Sequence, residues 1–324
     1  MRFVTGPTPV EPAPRLAQAI GLGADDLVVK REDLTGLGGG GNKVRKLEVT
    51  CDQALEAGAD VLVTSGAPQS NHARLTAAAG ARLGLPVVLV LGGQEPEQVR
   101  GNLLLDRLFG AQLVWAGDVP LAEASTRTVA SLGEKGRRPF EIPFGGSSSA
   151  SAMRYARVGD ELLDQVPDLA HVVVAVGSGG TMAGLVQALN PDRVLGFDTG
   201  AMPDARATVH GLLEGMPGPT PSVSALRIDG GQVGEGYEHL SAEVLAAMQL
   251  AARTEGLVLD ATYVGRAMAG LVHAVRSGSV QPGERVVFLH TGGLPGLFGH
   301  PELVQETVLS AISSGWGPDH EVAP

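Results

Sequence analysis

The sequence predicts an α/β protein of two lobes, each an open parallel sheet with helices on both faces. Three observations predict it. Short apolar runs alternate with helix-periodic segments from about residue 44 to residue 290, the order that builds parallel sheets through crossover helices. Glycine-rich turns punctuate that order at 39–41 and 177–180, where the chain must bend sharply. The composition agrees: 44% hydrophobic but only 4% aromatic, with 46 glycines in 324 residues, describes a close-packed protein whose turns matter more than its large side chains.

Taken in order, residues 1–20 carry Pro7, Pro9, Pro12 and Pro14, which favour an extended lead-in over a helix. Leu27–Lys30 reads as a short strand. Beyond the glycine turn, Val44, Leu47, Cys51 and Leu55 recur at steps of three and four, an amphipathic helix that Gly58 ends. Strands follow at 61–64, 87–91 and 112–115, with helices over 71–83, about 97–109 and 121–132. The second half repeats the pattern, with strands at 171–176, 193–197 and 285–290 and helices after Gly180, over 241–255 and over 263–275. The Gly-Gly-Ser-Ser-Ser run at 145–149 is the expected crossing between lobes. It divides the chain into a large domain from 1–43 plus 151–324 and a small inserted domain from 44–150.

The formal charge of -11 argues against a nucleic-acid or anionic-membrane binder, which needs a basic face. A small molecule or a second copy of the chain is the expected partner. The single cysteine, Cys51, removes intrachain disulfides and any cysteine-based zinc site, and it reads as a buried small residue. No stretch of about 18 uninterrupted apolar residues and no signal-like leader is present, so a cytoplasmic protein is expected.

The chemistry centres on Gly39-Gly40-Gly41-Asn42-Lys43-Val44-Arg45-Lys46-Leu47-Glu48. Its glycines let the chain approach a flat ligand and deliver Lys43 to the start of a helix. A lysine amine there can form a Schiff base with an aldehyde if its pKa is lowered, and the helix end together with Arg45 and Lys46 is expected to lower it. The bland alternative is a surface loop before a solvated basic helix. A P-loop fails on spelling, because Asn42-Lys43-Val44 replaces Gly-Lys-Ser/Thr.

Gly177-Ser178-Gly179-Gly180-Thr181 follows the apolar run Val172–Val176 and precedes a helix. Such a turn aims backbone N–H groups and the helix dipole at one anion, naturally a phosphate. A dinucleotide site competes, with Asp198 as the ribose-binding acid, but Met182 stands where the third glycine belongs. The polar turn Thr64–His72 ends another strand, and Ser70 or Asn71 can cap the next helix. Of the eight histidines, His72, His171, His210, His239, His273, His290 and His300 are scattered and show no metal-ligand spacing, so no metal site is expected.

Together with Lys30-Arg31-Glu32-Asp33, Gln69-Ser70-Asn71-His72, Leu259-Asp260-Ala261-Thr262-Tyr263 and His290-Thr291-Gly292-Gly293, these motifs make the chain resemble the pyridoxal-phosphate enzymes of the tryptophan-synthase β-subunit type, or fold type II. Within them it resembles the D-cysteine desulfhydrase and 1-aminocyclopropane-1-carboxylate deaminase family. The resemblance runs almost the whole chain. It implies pyridoxal 5'-phosphate as cofactor, Lys43 as the Schiff-base lysine, and Gly177, Ser178, Gly179, Gly180 and Thr181 as the phosphate turn. It also implies Asn71 at the ring hydroxyl, Thr291 at the pyridine nitrogen, and Ser70 beside the substrate carboxylate, with Gln69, Asn71 and His72 in the same substrate-binding turn. Tyr237 and Tyr263 match the family's two active-site tyrosines, and the chain has only three.

The family's deaminases carry Glu after the second tyrosine and Leu before the paired glycines, and its desulfhydrases carry Thr at both. Thr291 follows the desulfhydrase pattern; Val264 follows neither. The expected reaction is α,β-elimination on a small amino acid, most simply D-cysteine, giving pyruvate, ammonia and sulfide. Cyclopropane-amino-acid deamination and release of sulfite from L-cysteate are the rivals. A pyridoxal-phosphate-holding or ligand-sensing module is the non-enzymatic one. A homodimer is implied by the resemblance alone.

Overall fold

The computed structural model describes residues 2–303. The first half runs β1 (Val10–Pro12), α1 (Pro14–Ile20), β2 (Leu27–Lys30), α2 (Lys43–Glu56), β3 (Val61–Gly66), α3 (Asn71–Leu83), β4 (Val87–Leu91), α4 (Gly101–Leu108), β5 (Gln112–Trp115), α5 (Leu121–Glu134) and β6 (Pro139–Glu141). The second runs α6 (Ser149–Gln165), β7 (Leu169–Val176), α7 (Gly180–Leu189), β8 (Val194–Asp198), α8 (Ala205–Glu214), β9 (Ile228–Asp229), α9 (Ala242–Glu255), α10 (Val264–Arg276), β10 (Arg285–Leu289) and α11 (Leu294–Leu297).

Two sheets organise these elements, one of six strands in the order β1-β2-β10-β7-β8-β9 and one of four in the order β5-β4-β3-β6. Every pairing is parallel except β1 with β2. Parallel strands are covered on both faces, and the all-apolar run Val172–Val176 is accordingly buried throughout. β10 lies between β2 and β7, with Val287 opposite both Val28 and Val172.

One face of the six-stranded sheet packs Phe197 and Phe288 against Leu16 of α1, Val244 of α9 and Met268 of α10. The other packs Val172 and Val174 against Tyr155 of α6 and Met182 of α7. α6 and α7 approach so closely that a Cβ on Gly184 would lie 2.2 Å from the Ala152 carbonyl oxygen. The four-stranded sheet buries Leu62 and Leu89 beneath Leu47 of α2 and Leu75 of α3, and Val63 and Val90 beneath Ala124 of α5. Among the described residues no helix is long and apolar enough to cross a membrane.

Two sequence expectations fail here. The lead-in is not wholly extended, because Pro14 sits at the first position of α1, where its missing N–H costs nothing, and Leu16, Ala17 and Ile20 are buried. α4 starts at Gly101 rather than near Glu97: Arg100 is extended and the Asn102 N–H donates to Gln69 Oε1 at 2.9 Å, so a distant side chain sets the helix start.

α6 begins with a reciprocal cap, in which Ser148 Oγ accepts from Ser151 N at 3.2 Å and Ser151 Oγ accepts from Ser148 N at 2.9 Å. Ser148→Ala is expected to cost about 1 kcal/mol, read as a lowered urea midpoint at unchanged slope.

Candidate active site

Lys43 is the first residue of α2, and its position is set by the loop before it. Gly40 lies at φ 74° and ψ 176°, and a Cβ there would sit 1.8 Å from the Asp33 carbonyl oxygen, so only glycine fits. The fully buried Arg74 guanidinium donates to the Gly38 carbonyl and, at 3.1 and 3.2 Å, to the Gly40 carbonyl. The Asn42 N–H donates to the Thr291 carbonyl at 3.0 Å, and Tyr155 Oη lies 3.1 Å from the Asn42 carbonyl. Lys43 Nζ then donates to Asn42 Oδ1 at 3.0 Å and stands 5.8 Å from the centre of the Tyr263 ring.

The Lys43 amine is lowered to about 8, by burial first, with Asp260 pulling it up and Arg74 pushing it down. That corrects the expected cause. Arg45 turns away from Lys43 and forks onto Glu32 at 2.7 and 2.8 Å; Arg74 pushes Lys43 down in its place, and Lys46, the other cation expected, is coupled to Lys43 by repulsion.

Lys46, one turn along α2, is 1% exposed and donates to Ser147 Oγ at 3.0 Å. Its ammonium is held well below the ordinary lysine value by burial and by Lys43. Ser147 Oγ meets Ser178 Oγ at 2.8 Å, and Asn42 Nδ2 donates to Thr181 Oγ1 at 3.0 Å, so the turn at 177–181 is tied to the start of α2. One cavity is lined by Lys43, Lys46, Asn71, Thr291 and the turn residues Gly177, Ser178, Gly179 and Thr181. A Cβ on Gly177 would lie 3.0 Å from the Tyr263 ring, and one on Gly180 would lie 3.0 Å from Lys46 Nζ. A phosphate fits this chemistry: the buried Lys46 amine, which an anion would favour in its charged form, hydroxyls, and the N-terminus of α7 converge on one spot.

Asn71 Oδ1 accepts from Asn102 Nδ2 at 3.0 Å, which orients its amide nitrogen. Thr291 lies just past the end of β10 on the same cavity wall. An adjoining cavity shares Asn71 and Tyr263 with the first and adds Gln69, Tyr237, Asp260 and His300. The two tyrosine rings meet edge to face at 6.0 Å and 77°, hydroxyl bonded to hydroxyl. Burial pushes Tyr237 up to about 12 and Tyr263 well above the ordinary tyrosine value, so both keep their protons at neutral pH. Asp260, raised to about 6 by burial, accepts from the backbone N–H groups of Tyr263 and Val264 at 3.1 and 2.9 Å and fixes that turn.

Other residues singled out in the sequence lie elsewhere. Ser70 Oγ accepts from Ala73 N at 3.1 Å as the cap of α3 and lines neither cavity. His72 is turned into the core, its Nε2 3.0 Å from Thr64 Oγ1. Gly180 opens α7 behind the cavity wall, and Val264 is fully buried in the core. Sequence reasoning missed Asn42, Lys46, Arg74 and Asp260. A signal existed for Lys46, which is three residues from Lys43 and therefore on the same helix face; none existed for Arg74, whose main partners are the Asn102 side chain and the backbone carbonyls of Gly38 and Gly40, all more than twenty-five residues away.

The family of pyridoxal-phosphate dependent enzymes matches residues 1–292 of the chain. A Pyrococcus abyssi protein provisionally named 1-aminocyclopropane-1-carboxylate deaminase is 39% identical over 317 residues, covering 93% of this chain and 94% of that one. A D-cysteine desulfhydrase of Salmonella typhimurium is 36% identical over 320 residues, covering 94% of this chain and 97% of that one. The crystal structure of an ACC deaminase homologue superposes with a TM-score of 0.84 at 33% identity, covering 96% of this chain and 95% of that one. Threonine deaminase isoform 2 from Solanum lycopersicum, at TM-score 0.64 and 18% identity, covering 96% and 88%, shares the fold.

Proposed function

The chain belongs to the family of pyridoxal-phosphate dependent enzymes, and from that premise we propose that it is a lyase that removes the α-proton and the β-substituent of a small amino acid. D-cysteine is the substrate this reading favours, with water consumed and pyruvate, ammonia and sulfide released. The observation that carries it is the joining of two cavities: Lys43 and the 177–181 turn line one, the tyrosine pair lines the other, and Asn71 and Tyr263 belong to both.

Bound here, the cofactor supplies an electron sink for the α-carbon. Lys43 Nζ would hold its aldehyde carbon, and the same amine, lowered to about 8, is suited to taking the α-proton. Lys46, Ser178, Thr181 and the backbone of Gly177, Gly179 and Gly180 hold its phosphate. Asn71 and Thr291 orient its ring. Tyr237 and Tyr263, protonated at neutral pH, give a proton to the departing β-substituent. Gln69, Ser70, Asn71 and His72 belong to the turn that receives the substrate carboxylate, Ser70 and His72 acting there as its scaffold. In this reading the 44–150 lobe brings that turn, with Lys46 and Asn71, to a cofactor whose other contacts come from 1–43 plus 151–324. The homodimer rests on the family resemblance.

The test is a keto-acid assay on D-cysteine, L-cysteine, L-cysteate, 3-chloro-D-alanine and 1-aminocyclopropane-1-carboxylate. Pyruvate from D-cysteine is expected. Preferential 2-oxobutanoate from the cyclopropane substrate, or sulfite from cysteate, transfers the chain to that rival activity. Bound cofactor with no keto acid from any of them makes it a holding or sensing module.

A further inference from the structure

We propose that Arg266 is the positioning residue of the tyrosine pair: it holds the loop that carries Tyr237 against the helix that follows Tyr263, so that the two hydroxyls meet in the site. The proposal rests on the lyase reading for what those hydroxyls do and adds to it the group that places them.

Tyr237 sits between β9 and α9 on a loop with no strand or helix of its own. Gly234 and Gly236 lie at φ 61° and 144°. Within the loop the backbone makes short turns: Val233 N donates to the Gly230 carbonyl at 3.1 Å, Gly236 N to Val233 at 3.3 Å and His239 N to Gly236 at 3.2 Å. Such turns fix the loop's own bends but not its distance from α10. A side chain on a loop is placed only as well as the loop is tied to the elements beneath it.

Arg266 supplies that tie. It lies on α10, three residues past Tyr263, is fully buried and lines neither cavity. Its Nη2 stands 2.7, 3.0 and 2.8 Å from the carbonyl oxygens of Gly236, Tyr237 and His239, and its Nη1 donates to the Thr199 carbonyl at 2.6 Å. Thr199 donates in turn, through its N–H and its Oγ1, to the Val176 carbonyl, each at 3.1 Å. Val176 is the last residue before the 177–181 turn. One guanidinium therefore joins the Tyr237 loop, the helix after Tyr263 and the strand ends behind the phosphate turn, which a planar fork of donors can do and a single ammonium point cannot.

Packing alone does not call for this residue. Burial holds Arg266 below the ordinary arginine value, and its Nε has no hydrogen-bond partner, so a cation is kept here at a cost that an apolar side chain avoids. The same cation works against the burial that raises the tyrosines and so eases the proton donation assigned to them. Arg74, also fully buried, spends its donors on the opposite wall, at the loop before Lys43.

The experiment is a double-mutant cycle of Arg266→Lys with Tyr237→Phe on the cofactor-loaded protein, scored by keto-acid release, with amide hydrogen exchange measured on the single Arg266 variant. Arg266→Lys is expected to keep the visible band and to lower kcat about 100-fold with KM within about three-fold, as for a misplaced proton donor. Added to Tyr237→Phe it should cost little more, because both changes remove the same contribution. A residue that only stabilises the fold lowers both backgrounds equally. Exchange should rise across 231–240 and stay unchanged along Val172–Val176. Arg266→Gln, which buries no charge, serves the same cycle if Arg266→Lys does not fold. Full activity, loss of the visible band, additive losses or unchanged exchange across 231–240 overturns the proposal. Because exchange needs no turnover, a rise across 231–240 in a protein whose wild type releases no keto acid refutes the lyase reading alone, whereas turnover with additive losses refutes this one alone.

Discussion

Lys43→Ala is expected to give a folded protein that lacks the visible band of the wild type and releases keto acid roughly 10^4-fold more slowly, since it loses both the group that holds the aldehyde and the base for the α-proton. The far-ultraviolet spectrum should be unchanged, because Lys43 is half-buried and its amine makes a single hydrogen bond, to the neighbouring Asn42. The pH dependence follows from the lowered pKa. Only the neutral amine attacks an aldehyde, so the rate at which cofactor-free wild type takes up pyridoxal phosphate should rise as the pH passes through about 8 and level off above it. An ordinary lysine would still be gaining rate beyond pH 10. A visible band that survives in Lys43→Ala removes the assignment.

Glu32→Ala is the substitution expected to cost most in stability, about 3–5 kcal/mol. The Glu32 side chain is fully buried and the Arg45 side chain is 9% exposed. Besides the fork from Arg45, Glu32 accepts from Thr8 Oγ1 at 2.6 Å and Tyr155 Oη at 2.7 Å. Its removal leaves Thr8 Oγ1 and Arg45 Nε short of an acceptor, Tyr155 Oη with the Asn42 carbonyl alone, and Arg45 with Glu161, at 2.9 Å, as its remaining carboxylate. Chemical denaturation reads the loss directly. Replacing both partners, Glu32→Gln with Arg45→Met, should recover part of it, because the charge is then no longer stranded. Equal stability of Glu32→Ala and wild type would show that the cluster contributes nothing. Tyr155 also reaches the Asn42 carbonyl, so Glu32→Ala should weaken cofactor uptake as well.

The sheet architecture was legible because parallel strands covered on both faces must be apolar throughout, as Val172–Val176 and Val87–Leu91 are. The short strands β1, β6 and β9 were not. β1 and β6 contain Pro12 and Pro139, residues confined to sheet edges, and β9 has only two residues. α6 carried a signal that went unread: Ala152, Tyr155, Val158, Gly159 and Leu162 recur at helical steps, but the glycine and serine run before them suggests a linker. At the site, the chemical residues were readable where a turn motif exposes them, as at Lys43 and 177–181. The error over Arg45 was avoidable, since two residues along a helix is about 200° around it and points a side chain to the opposite face. Arg74 matters through partners far away in sequence, which no local pattern encodes, whereas Asp260 accepts from backbone N–H groups only three and four residues on.

The last strand of the six-stranded sheet to be synthesised, β10, fills a slot between β2 and β7 near its middle. A nascent chain therefore emerges from the ribosome with a gap in its sheet. The Thr291 carbonyl that holds Asn42 beside Lys43 arrives only after that gap closes. Pairings this remote in sequence form slowly, and until they form the cavity lacks the wall that Thr291 supplies. Capture of the vitamin-derived ligand thus reports that translation has run past residue 291, and prematurely terminated products should be apo, sticky at two open strand edges, and left to proteolysis.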